Sequence, residues 1–71
     1  MKREILDALR ARYEAEIAEA DVTANIYLEN SVGIGEHPQH IEEIDKQIQK
    51  IADAQEKLRV IEDFQPERSV L

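Results

Sequence analysis

The sequence predicts an all-α fold: an antiparallel two-helix hairpin, assembling with a second copy into a dimeric four-helix bundle. Three observations lead there. Residues 2 to 29 contain no glycine or proline and repeat apolar side chains every three or four positions. Residues 38 to 64, opened by a proline, repeat the same pattern. Between them, Asn30-Ser31-Val32-Gly33-Ile34-Gly35-Glu36-His37-Pro38 holds both glycines and one of the two prolines. The strongest helix-breaking chemistry of the ordered part is therefore concentrated near its middle.

Residues 1–65 form one domain on this reading. The first helix spans about 2–29, the loop 30–37 and the second helix about 38–64, with a loose tail over 66–71. In the first helix Leu6, Leu9, Tyr13, Ile17, Ala20, Ala24 and Tyr27 or Leu28 recur at steps that keep them on one face. Alanines in the middle of that stripe let a neighbouring helix come close. Ile5, Val22 and Ile26 fall beside the stripe and point to more than one helical neighbour.

In the loop, Gly33 or Gly35 is expected to take positive φ and turn the chain, while Val32 and Ile34 tuck beneath it. The second helix starts at Pro38, whose missing N–H costs nothing at a first helical position. Glu42, Glu43 and Asp45 then lie near the positive end of the helix dipole. Its apolar series runs Ile41, Ile44, Ile48, Ile51, Gln55 and Leu58, a heptad pattern with one polar member, and continues through Ile61 and Phe64. Gln55 is the position expected to fix register or oligomeric state. Pro66 ends the helix.

Two helices of similar length joined by a short loop pack antiparallel. Tyr27 and Ile26 then meet Ile41 and Ile44 near the loop, and Ile5, Leu6 and Leu9 meet Leu58, Ile61 and Phe64 at the open end. The core and interface are expected to rest on Leu6, Leu9, Tyr13, Ile17, Ile41, Ile44, Ile48, Ile51, Leu58 and Ile61.

Size and charge restrict the functions to consider. A chain of 71 residues without cysteine has neither a large core nor disulfides or thiolate metal sites to stabilise it. A partner surface supplies what is missing, and self-association is the simplest version. Net charge is −7, with −3 on residues 1–30 and −4 on residues 31–71. A spread acidic surface disfavours nucleic acid and anionic membranes as partners. No apolar run approaches the roughly 20 residues of a membrane span, and no signal-peptide core opens the sequence, so a cytosolic protein is expected.

Candidate chemistry is sparse. Glu36, His37, His40 and Glu43 come nearest to a ligand cluster, because histidine and carboxylate at helical spacing suit zinc or iron. Carboxylate-bridged di-iron bundles place a glutamate three residues before a histidine; here that order is reversed and lies at a helix mouth. The plainer reading has His37 capping the helix and His40 solvated. Glu14, Glu16, Glu19 and Asp21 read as a solvated face rather than an acid–base pair. Tyr13 and Tyr27 share a face and read as packing residues. The glycine loop lacks a lysine and carries Glu36, which disfavours phosphate. No catalytic residue and no cofactor are expected.

The loop Asn30 to Pro38, followed by a heptad-like helix containing Lys57-Leu58 and ending near Phe64, is similar to small uncharacterised helical proteins of tailed bacteriophages, marine T4-like phages in particular. The resemblance covers roughly residues 1–65 and brings no activity or site residue with it. It implies an infected bacterial host, with the protein in the cytoplasm or associated with the virion. The expected function is non-enzymatic: a small acidic protein–protein interaction module, an adaptor or regulator of another protein that also binds itself. The alternatives are a minor virion structural or assembly component, a metal-binding helical bundle and an acidic nucleic-acid mimic. Lys46, Lys50, Lys57 and Arg59 interrupt the second helix and count against mimicry.

Overall fold

A computed structural model of the chain describes residues 2–30 and 38–64. Helix α1 is Lys2–Asn30 and helix α2 is Pro38–Ile61, followed by a 3-10 turn at Glu62–Phe64. Among the described residues there is no strand, and α1 and α2 pack against each other as a hairpin. The expectations placed on the glycine loop and on the tail after Phe64 lie outside the described residues.

The second helix was expected to stay α-helical to residue 64, and the last turn is tighter than that. Pro66 has no N–H to return to the carbonyl of Glu62, and its ring disfavours an α conformation in the residue before it. A 3-10 turn removes the need for that bond.

The helices run antiparallel. Tyr27, near the end of α1, meets His40, near the start of α2, edge to face with ring centroids 5.6 Å apart. At the other end Leu6, Leu9 and Tyr13 share a groove with Val60, Ile61 and Phe64. The α1 positions turned toward α2 are Leu6, Arg10, Tyr13, Ile17, Ala20, Ala24 and Tyr27, each buried or half-buried. Those steps alternate four and three residues, the heptad spacing of a coiled coil. Ala20 and Ala54 are each only 1% exposed, small side chains enclosed where the helices meet. Leu6, Ala24 and Ile61 complete the buried apolar set.

The molecule is one layer thick. Its principal extents are 53 × 19 × 12 Å, and the smallest matches the roughly 10–12 Å diameter of a single helix with its side chains. The radius of gyration is 16.4 Å, against about 11 Å for a compact domain of this length. No helix among the described residues is long and apolar enough to cross a membrane.

Candidate interaction surface

Helix α2 carries its apolar and small residues in three adjacent rows. One row, His40, Gln47, Ala54 and Ile61, faces α1 and is buried or half-buried. The next, Ile44, Ile51 and Leu58, is half-buried. The third, Ile41, Ile48 and Gln55, is exposed, with Ile41 at 74% and Ile48 at 56%. Each row lies about 50° from its neighbour around the helix axis, so the first and third are about 100° apart. A hairpin with a close alanine seam covers two rows of a helix at most, and the third stays in water.

This arrangement departs from the expected core in a specific way. Leu6 and Ile61 are buried, and Leu9, Tyr13, Ile17, Ile44, Ile51 and Leu58 are half-buried. Ile41 and Ile48 stand outside the seam between α1 and α2. So does Gln55, the residue expected to be the polar member of the core. That place belongs to Gln47, 7% exposed, which sequence reasoning missed together with Ala54. Both heptads include Ile44, Ile51 and Leu58, and they differ only in the row chosen beside it. Apolarity favours the isoleucines, whereas close packing against α1 uses the smaller and more polar residues.

Among the described residues, the histidine and acidic side chains near the loop end do not gather into a ligand set. His40 and Glu43 line a shallow cleft of about 400 Å³ with Tyr27 and Glu42. His40 packs against Tyr27, and Glu43 accepts a hydrogen bond from Lys46 Nζ at 3.2 Å. Glu36 and His37 lie outside the described residues. Among the described residues no group of three histidines or carboxylates is placed to hold a metal ion.

The remaining charge is organised along the helices. Glu16 and Glu19 line a groove of about 320 Å³ with Lys50, Asp53 and Lys57, so part of the acidic stretch of α1 faces lysines of α2. Lys57 Nζ sits 5.4 Å from the centroid of the Tyr13 ring, a cation–π contact across the seam. Arg10 bonds Asp7 at 3.3 Å and Arg59 bonds Glu56. The Arg59 hydrogen bond, and then its charge, hold the Glu56 carboxyl below the usual carboxylate range. The same pairing raises the Arg59 guanidinium.

At the open end, Leu9, Tyr13, Val60 and Phe64 border a mostly apolar groove of about 390 Å³. Phe64 remains half in water at 55%. Comparison with protein-family models, with curated proteins and with solved structures finds no match to this chain.

Proposed function

We propose that this chain is a non-enzymatic interaction module that works by presenting the outer rows of α2 to another protein helix. In the setting implied by its resemblance to phage proteins, it acts as an adaptor or regulator in an infected bacterium. The observation that carries this reading is the Ile41–Ile48 row. Two isoleucines are more than half exposed beside the half-covered Ile44 and Ile51, on a chain whose charged residues make up 35%. Scattered single apolar residues are ordinary on a surface, whereas a contiguous strip at heptad spacing marks a contact face. Helix-in-groove and helix-on-helix recognition use such a strip as their anchor.

The test is site-specific photo-crosslinking in the cells that produce the protein. A photoreactive residue at position 48 is expected to form a covalent adduct with a protein. The same residue at position 49, an exposed glutamine on the charged side of α2, is expected to form none. No adduct from position 48, or equal adducts from both positions, overturns the reading.

A further inference from the structure

The contact face can be given a definite occupant, an inference that rests on the reading above. We propose that two copies of this chain pair through α2, antiparallel about a two-fold axis between residues 49 and 50. Ile48 then packs on the partner's Ile51, Ile41 on the partner's Leu58, and Ile44 on the partner's Gln55. Because the interface is isologous, each of these contacts occurs twice.

Two observations favour a second copy. The first is area. The chain exposes 5563 Å², about 1,000 Å² more than a compact monomer of its mass exposes. A stable interface of standard size buries about 800 Å² on each partner, so one dimer contact accounts for most of the excess. The second is shape. A slab 12 Å thick has no second layer to cover its apolar rows, and a second hairpin supplies a layer with a matching strip at the same spacing. The Ile41–Leu58 series repeats at three and four residues, and a helix with that repeat packs best on another with the same repeat.

Gln55 acquires a role here: it is the polar member of the strip between copies, not of the seam within one.

The experiment uses the purified full chain alone. Sedimentation velocity is expected to show a reversible dimer. Ile48→Glu removes an apolar contact twice per dimer and is expected to weaken association by about a hundredfold or more, with helicity by circular dichroism unchanged. Val22→Glu, at an exposed apolar residue on the outside of α1, is expected to leave the dimer intact. Spin labels at position 63 report direction: an antiparallel pair separates them by about 40 Å along the axis, whereas a parallel pair sets them side by side.

A wild-type chain that stays monomeric at every accessible concentration overturns the pairing. So does a dimer that survives Ile48→Glu, or labels at the short distance. The wider reading fails separately, by the absence of adducts from position 48 in cells. A monomer in isolation that still captures a different protein there refutes self-pairing and leaves the contact face standing.

Discussion

Replacing Gln47 by leucine should stabilise the hairpin, although it removes the one polar side chain buried in the seam among the described residues. Gln47 is 7% exposed, yet its amide is not among the buried polar groups left without a partner, so the amide keeps part of its water. Its two methylenes already contribute about 0.8 kcal/mol each on burial. A fully buried leucine contributes about 1.5–3 kcal/mol, so the apolar part of the exchange is worth up to about 1 kcal/mol. Removing a partly desolvated amide adds about 0.5–2 kcal/mol where some compensation remains. The expected gain is therefore about 0.5–3 kcal/mol, or very roughly 2–24 °C in Tm for a domain this small.

The assay is urea unfolding followed by circular dichroism, at a protein concentration low enough that the midpoint no longer depends on it. Gln47→Leu should raise the midpoint without changing the slope. Gln55→Leu, at an exposed position, should leave the dilute midpoint where it is and raise it only at high concentration, where copies associate. If Gln55→Leu stabilises the dilute chain and Gln47→Leu does not, the seam passes through the Ile41–Ile48–Gln55 row and the packing described here is wrong.

Other substitutions test the same geometry. Ala54→Leu and Ala20→Leu each insert bulk where the helices meet at 1% exposure, and each should cost about 1–3 kcal/mol in urea unfolding. Ile61→Ala, at a side chain 5% exposed, should cost about 2–4 kcal/mol, toward the low end because the open end can relax. Glu56→Gln should leave Tm at neutral pH nearly unchanged, since the Glu56–Arg59 pair is exposed. The lowered Glu56 carboxyl gives its effect a sign. Any stability it adds is complete above the ordinary carboxylate pKa and is lost as pH falls through its lowered value. The wild type and Glu56→Gln should therefore converge in acid, as followed by thermal melts across pH.

The two helices and the position of the break between them were legible because each follows from local chemistry. Glycine and proline cluster once between residues 2 and 64, and the flanks carry uninterrupted helix formers with a repeating apolar face. The middle row of α2, Ile44, Ile51 and Leu58, was legible for the same reason. What could not be read was which neighbouring row would complete the seam. Periodicity alone allows either, because both lie three or four residues from the same middle row. The choice depends on how closely two backbones approach, a tertiary quantity that places Ala54 and Gln47 opposite α1. An apolar residue is an equally good sign of a core and of a partner face.

That ambiguity bears on function. Had α2 turned its Ile41–Ile48 row toward α1, the hairpin would have used its most apolar strip internally, with Gln47 and Ala54 facing water. Instead the internal seam uses Ala20, Ala24, Ala54 and Gln47, which bury little area and leave the isoleucines outside. A seam of small residues is a modest source of stability for 71 residues. An exposed heptad strip provides the means to stabilise the fold through association. Folding and binding would then be thermodynamically linked: raising protein concentration should raise the wild-type unfolding midpoint, and Ile48→Glu should remove that dependence while leaving the dilute midpoint in place. A midpoint independent of concentration in the wild type would mean that the hairpin is stable on its own, and that the Ile41–Ile48 strip serves a different partner.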